Sequence, residues 1–249
     1  MLEDVGRGVI STVRVPTGSV TDSIPELVSR VFGDNLIEAD ASSMVLTWTL
    51  DDAGTINDYC LQMCPGAAYE ALAWDTFINC RNPDLYPMEV VQGMRMYGVP
   101  PACLQLKVGA RYMIVKNLMK DVFNGVRCQL VAMNGRRSIF VKLLSGPGAG
   151  KTVLLPACVF TISPESSGLP FSIRRRQFPL IAAYAVTTHK AQGQTLRLVG
   201  LYVTRDAFTH GQLYTALSRT RGWSNIFIYC TTPIPDSMIN CVYQHVLNQ

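Results

Sequence analysis

The sequence predicts an α/β protein in which a small β-barrel is inserted within, or placed before, a parallel-sheet layer. Three observations carry this. The last third alternates the apolar runs FPLIAAYAV, LRLVGLYV and NIFIYC with a helix, THGQLYTALSRT, and buried strands alternating with helices make a parallel sheet. Residues 104–176 instead hold short strands at close spacing: LQLKVGARYMIV, VRCQLVAM, SIFVKLL, TVLLPACVFTI and LPFSIRR, separated by the glycine turns FNG, MNGRR and SGPGAG. That rhythm suggests a barrel of the SH3 or OB type. Finally, 48% of the 249 residues are hydrophobic and 16% charged, enough for a packed core.

Taken in chain order, residues 1–42 mix Gly, Pro, Ser and acidic residues around one short helical pattern, PELVSRVF, and read as a linker. SMVLTWT, from Ser43, alternates like a buried strand. Asp51 or Asp52 is placed to cap a helix through INDYCLQM, with Ile56, Tyr59, Cys60 and Met63 on one face and Pro65-Gly66 at its end. Residues 67–103 are irregular, with Trp74, Phe77, Tyr86, Tyr97 and several prolines, and read as a surface excursion with its own apolar cluster. The parallel layer thus draws on residues 43–66 and 177–249. Its helix has Thr209 and Gln212 spaced as a capping box and Leu213, Ala216 and Leu217 as its apolar face.

Composition narrows the function. A formal charge of +4 permits a nucleic-acid partner without requiring one. The eight cysteines (60, 64, 80, 103, 128, 158, 230 and 241) lack C-x-x-C pairing, and His189, His210 and His245 are scattered, so no metal site is expected. MLEDVGRGV has no apolar signal core, and no apolar run nears the roughly 20 residues of a membrane span. A reduced, intracellular protein with no membrane partner is expected, nuclear if its source is eukaryotic.

SGPGAGKT, Ser145 to Thr152, resembles an ATP phosphate loop. Such a loop needs a strand before it and a helix after it, so that backbone N–H groups converge on phosphate. SIFVKLL meets the first requirement. VLLPACVF fails the second, because Pro156 would fall in the helix's second turn at a cost of about 3 kcal/mol or more. No apolar strand ending in a magnesium-holding Asp follows. The stretch therefore reads as a hairpin turn, with Lys151 an exposed turn lysine that could meet a nucleic-acid phosphate.

Two other stretches are richer in chemistry. In AYAVTTHKAQGQTL a buried strand runs into Thr187, Thr188, His189 and Lys190, then Gln192-Gly193-Gln194-Thr195. Hydroxyls, amides and a cation gather there at a strand's C-terminal end, where open α/β sheets bind ligands. YTALSRTR places Arg219 and Arg221 near a helix end, and a guanidinium there can grip a phosphate bidentately.

THKAQGQTL followed by HGQLYTALSR resembles motifs V and VI of superfamily 1B helicases, specifically the Pif1-like group that includes helitron-type helicases. LTWTLDDAGTINDYCLQMCPG is similar to the opening of that family's second RecA-like domain. LKVGARYMIVKNLMKDVFNGVRCQLVAM and LPFSIRRRQFPL resemble segments between that opening and motif V. The resemblance covers roughly residues 43–230. It implies a second RecA-like domain with an inserted SH3-like barrel, as part of an ATP-dependent 5′-to-3′ helicase moving on single-stranded DNA. Arg219 would be an arginine finger on the γ-phosphate, with Gln192 and Gly193 beside the nucleotide and, with Thr195, coupling it to the DNA. Thr188, His189, Lys190 and Thr195 would lie nearest the DNA backbone. Arg174, Arg175 and Arg176, with Arg136 and Arg137, would supply phosphate contacts on the barrel, a solvated face being the other reading of these arginines.

The first RecA-like domain, with its Walker lysine and acid, is not in this sequence, and residues 1–42 resemble the linker that follows it. ATP and Mg2+ would be shared with that missing N-terminal RecA-like domain, and this chain alone would be inactive because phosphoryl transfer needs both halves. A second guanidinium is not evident in TWTLDDAGTIN. A non-catalytic remnant that holds single-stranded nucleic acid stays open as the alternative.

Overall fold

The computed structural model describes residues 2–94, 96, 98–231 and 237–242; Tyr97 and His245 lie outside the described residues. It divides into two units, one formed by residues 1–60 and 184–249, the other by 61–183.

The first unit is built on a four-stranded parallel sheet. Its order is Ala185–Thr187, Met44–Thr47, Val199–Val203, Ile226–Cys230. Every residue of the Met44–Thr47 and Val199–Val203 strands is buried, as expected of parallel strands covered on both faces. The predicted strand runs LRLVGLYV and NIFIYC are two of these four. The segment expected as a linker supplies a covering helix, Ile24–Phe32. Ser23 caps it by accepting from the Glu26 N–H, Pro25 stands in its first turn, and Gly33, at φ 74°, ends it. Leu27, Val28, Val31 and Phe32 are buried, so its apolar stripe belongs to the core.

Gly200 marks where that helix lies on the sheet. A Cβ there would sit 2.9 Å from Val31 Cγ2 and 2.9 Å from Val45 Cγ2. Gly200→Ala is expected to overpack the site and destabilise the unit by about 1–3 kcal/mol, read as a lowered denaturation midpoint.

The helix predicted after the first parallel strand runs Leu50–Met63. Its cap is neither Asp51 nor Asp52 but Thr49, whose Oγ1 accepts the Asp52 N–H at 3.1 Å and meets Asp52 Oδ2 at 2.6 Å. Asp52, the third helical residue, instead accepts from the hydroxyls of Thr49 and Thr204. Ile56 and Cys60 are buried as expected; Met63 is exposed, and Ala53, Asn57 and Leu61 complete the buried face.

The second unit consists of antiparallel sheets. A five-stranded sheet runs Leu180–Ala182, Arg111–Ile114, Arg127–Asn134, Ser138–Leu143, Thr152–Pro156. A three-stranded sheet runs Cys158–Ile162, Ser172–Gln177, Trp74–Ile78, and a pair joins Tyr69–Leu72 to Cys103–Leu106. TVLLPACVFTI is therefore two strands in two sheets, parted at Ala157, whose N–H donates to the Arg137 carbonyl. The excursion of residues 67–103 contributes strands to both smaller sheets. Its expected apolar cluster is present, with Phe77 and Tyr86 packed against Phe171, Ile162, Ile173 and Val91.

FPLIAAYAV, expected as one buried strand, is also two. Leu180–Ala182 joins the antiparallel sheet of one unit and Ala185–Thr187 the parallel sheet of the other. The run's period suits a buried strand throughout, but the ladder partners change at Ala183 and Tyr184.

Candidate nucleotide and nucleic-acid site

At the end of the edge strand Ala185–Thr187 the chain enters a single helical turn, Thr188–Ala191. Gly193 follows at φ 78°, a backbone conformation that glycine adopts without steric cost. The Gln194 N–H donates to the Ala191 carbonyl, and Gln194 Nε2 to the Lys190 carbonyl at 3.0 Å, so the turn is closed on itself. His189, Gln192, Gly193 and Thr195 are exposed, while Thr187, Thr188 and Ala191 face inward. Lys190 is half-buried, and burial pulls its ammonium pKa below the usual lysine value.

The edge strand is held by a residue that periodicity did not single out. Asn57 Nδ2 donates to the Ala185 carbonyl at 2.8 Å, and its Oδ1 accepts the N–H groups of Tyr184 and Ala185, both at 2.9 Å. The available signal was an amide inside an otherwise apolar helix face, next to Ile56 and one turn before Cys60.

The second motif is a helix of Gln212–Leu217, entered through Gly211 at φ 65°. The predicted capping box is half present. Gln212 Oε1 accepts from the Phe208 and Thr209 N–H groups, but the Thr209 hydroxyl does not cap. Leu213, Ala216 and Leu217 are buried as expected. Arg219, one turn beyond, reaches back over the first motif. Its Nε donates to the Thr215 carbonyl at 2.8 Å, Nη2 to Ser218 Oγ at 2.8 Å, and Nη1 to the carbonyls of Gln194 at 3.3 Å and Ala191 at 3.5 Å. The backbones are also joined, Leu196 N–H to the Arg219 carbonyl at 2.8 Å and Thr220 Oγ1 to the Arg197 carbonyl at 3.2 Å. Arg219, Gln192 and Gly193 thus belong to one constellation.

Within these two motifs the buried atoms Thr187 Oγ1, Thr188 Oγ1, Gln194 Oε1, Thr209 Oγ1 and Gln212 Nε2 have no protein partner. Buried polar atoms are normally hydrogen-bonded, and exceptions gather where ligands or moving segments supply the partner. Beside them Thr195, Leu196, Arg197, Thr220 and the exposed Arg221 line a cleft of about 340 Å³ with Ser42 and Asn225. Arg197 Nη1 pairs with Asp40 Oδ2 at 2.9 Å at its rim. Hydrogen bonds from Ser42, then from Arg197, hold the Asp40 carboxyl down at about pH 2 against its ordinary 3.8. A depressed carboxyl stabilises the fold above its unfolded pKa and loses that contribution as pH falls through the folded one. The 40–42 turn is therefore expected to loosen between about pH 4 and pH 2. Asp40→Asn should flatten that part of the acid-denaturation profile.

The other cations expected to meet phosphate lie in the 61–183 unit. Arg174 and Arg176 are exposed, but Arg175 is not a phosphate contact. Strand alternation turns it inward, where it is 1% exposed and paired with the fully buried Asp75 carboxylate at 2.7 Å, with a further bond to the Pro100 carbonyl. Arg136 and Arg137 are exposed at the tip of the Arg127–Asn134/Ser138–Leu143 hairpin. Ser145–Lys151 links the antiparallel strands Ser138–Leu143 and Thr152–Pro156, so SGPGAGKT is a hairpin turn and no helix follows. Gly146 and Gly150 have φ of 79° and 89°, and a Cβ on Gly148 would come within 2.7 Å of Asp121. Lys151 Nζ is bound to Asp121 Oδ2 at 2.6 Å.

In the 1–60 and 184–249 unit, the guanidiniums of Arg219 and Arg221 and the exposed amide of Gln192 are donors of the kind a phosphate group accepts. Among the described residues no group of three or more His, Cys, Asp or Glu could hold a metal ion, and no helix is long and apolar enough to cross a membrane.

The family description "DNA helicase Pif1, 2B domain" matches residues 89–133. The chain is 33% identical over 189 residues to the ATP-dependent DNA helicase PIF1 of Homo sapiens, covering 74% of this chain and 26% of that protein. It is 33% identical over 223 residues to the Danio rerio protein of the same name, covering 86% of this chain and 31% of that one. The chain thus spans about a quarter to a third of these curated relatives. Among solved structures it is similar in fold to the Pif1 helicase of Candida albicans, with a TM-score of 0.65 at 21% identity, covering 99% of this chain and 55% of that one. It is likewise similar to the Bacteroides Pif1 helicase in complex with ADP-AlF3 and single-stranded DNA, with a TM-score of 0.60 at 21% identity over 98% of this chain and 51% of that one.

Proposed function

Because the chain belongs to the Pif1 helicase family, we propose that it is the C-terminal portion of an ATP-dependent 5′-to-3′ DNA helicase. On this reading the unit of residues 1–60 and 184–249 is a second RecA-like domain, and the antiparallel unit of residues 61–183 holds the inserted SH3-like barrel. The observation that carries the proposal is the bonding of Arg219 to the loop that holds Gln192 and Gly193. One guanidinium then reports to both motifs.

ATP, with Mg2+ held by the N-terminal RecA-like domain, supplies the free energy of γ-phosphoryl transfer. Arg219 would be the residue that meets the terminal phosphate, where a guanidinium stabilises the charge that develops in transfer. Its Nη1 bonds are the longest it makes, at 3.3 and 3.5 Å, so that edge exchanges carbonyls for phosphate oxygens at small cost while Nε keeps the Thr215 carbonyl. Release of the Ala191 and Gln194 carbonyls unties the 188–195 turn from Arg219 Nη1 and leaves it held by the bonds of Gln194 to Lys190 and Ala191. Its exposed His189 and Thr195, with Lys190, meet the DNA backbone, and Gly193 is the hinge. Each change at Arg219 is in this way passed to the DNA side of the same turn.

The test is hydrolysis. The chain alone is expected to release no phosphate from ATP, with or without single-stranded DNA. Mixed or co-expressed with a family N-terminal RecA-like domain it should show DNA-stimulated hydrolysis. Hydrolysis by the isolated chain, or none in a mixture shown to associate, would sink the reading.

A further inference from the structure

The outer face of the three-stranded sheet has a composition that a solvated surface does not require. In its register Trp74 stands opposite Arg176 and Thr76 opposite Arg174 on one side; Val159 and Thr161 oppose the same arginines on the other. Strand alternation puts these six side chains on one face and Asp75, Phe77, Phe160, Ile162, Ile173 and Arg175 on the other. The second face is packed, with Ile162, Ile173 and Arg175 nearly inaccessible. The first is open, with Trp74 74% and Val159 43% exposed. Leaving an indole outside the core forgoes one of the largest burial gains a side chain offers. Asp75 is the one acidic residue on the three strands, and it points inward to neutralise Arg175. The open face therefore carries two guanidiniums, an indole and no carboxylate.

We propose that this face is a stacking platform for single-stranded DNA, with the Trp74 ring taking an unpaired base and Arg176 and Arg174 the flanking phosphates. The arginines stand two residues apart on an extended strand, about 7 Å, a separation that successive phosphates of an extended single strand can match. Interleaved aromatic and cationic groups are what sequence-tolerant single-strand binding uses. Duplex DNA presents no free base face to an indole, and a peptide without acidic residues would leave both guanidiniums without counter-charges. The site rests on the reading of the chain as part of a single-strand DNA motor, and adds a contact that the motor motifs do not contain.

Titration of the intact chain with oligo(dT), followed by tryptophan fluorescence, tests it. Trp48 is buried and Trp223 only partly accessible, so Trp74 is the most solvent-exposed reporter. Binding is expected to quench the emission. Trp74→Leu should abolish most of the quench and weaken binding about 5- to 100-fold, with Trp74→Phe in between. Arg174→Ala and Arg176→Ala should each weaken binding and lower the salt slope by about 0.7. All three side chains leave the core untouched, so an unchanged melting temperature certifies the fold. Equal affinity of Trp74→Leu and the unaltered chain overturns this site and leaves the parent reading standing. No oligonucleotide binding by the unaltered chain also overturns this site, while the parent reading is decided by hydrolysis in the mixture with the N-terminal domain. Emission that responds to added polypeptide and not to oligo(dT) assigns the face to a protein partner and overturns the proposal.

Discussion

Asp75→Ala is expected to destabilise the 61–183 unit by about 3–5 kcal/mol, enough to unfold a marginal unit at ordinary temperature. The reason is what remains. Among the described residues, three of the four hydrogen bonds of the Arg175 guanidinium go to that carboxylate, and both side chains are removed from water. Without Asp75 a full positive charge is left buried against the Pro100 carbonyl alone. The attraction itself contributes little net stability, since two charges must be desolvated to form it. Asp75→Leu combined with Arg175→Met should therefore recover most of the loss, although neither single change does. Urea denaturation of the four proteins checks this as a double-mutant cycle; additive single losses would remove the account.

The second large effect concerns activity. On the proposed reading, in a mixture with a family N-terminal RecA-like domain, Arg219→Ala is expected to lower DNA-stimulated ATP hydrolysis by about 10³-fold or more. The same change removes donors from the Thr215, Gln194 and Ala191 carbonyls, so a stability loss of about 1–2 kcal/mol should accompany it. Arg219→Lys separates the two roles. It keeps the charge but cannot hold several acceptors in one plane, so hydrolysis should stay low. Hydrolysis near the unaltered rate in either variant would remove Arg219 from the γ-phosphate.

The constellation was legible because its chemistry is local. THKAQGQTL and HGQLYTALSR carry glycine, amide and guanidinium at fixed spacing, and each folds as one turn or one short helix. SGPGAGKT was legible for the same reason: Pro156 forbids the helix a phosphate loop needs, and a hairpin stands in its place. Arg175 was not legible. Three consecutive arginines look alike until strand alternation turns the middle one inward, and Asp75 lies 100 positions away. Asn57 was missed likewise, because its partners at Tyr184 and Ala185 lie 127 and 128 positions along the chain.

By itself the sequence determined the parallel-strand runs Val199–Val203 and Ile226–Cys230, the turn at Gly146–Gly150 and the two motif segments. These follow from periodicity, φ restrictions and spacing within about a dozen residues. Only the tertiary structure decided which sheet each half of FPLIAAYAV and TVLLPACVFTI joins, that Ile24–Phe32 belongs to a core, and which arginine is buried. An apolar run has the same period whichever ladder it enters. Its partner is chosen by contacts outside the run itself, from the neighbouring Ser138–Leu143 for Thr152–Pro156 to the distant Met44–Thr47 for Ala185–Thr187, and no pattern within the run records those.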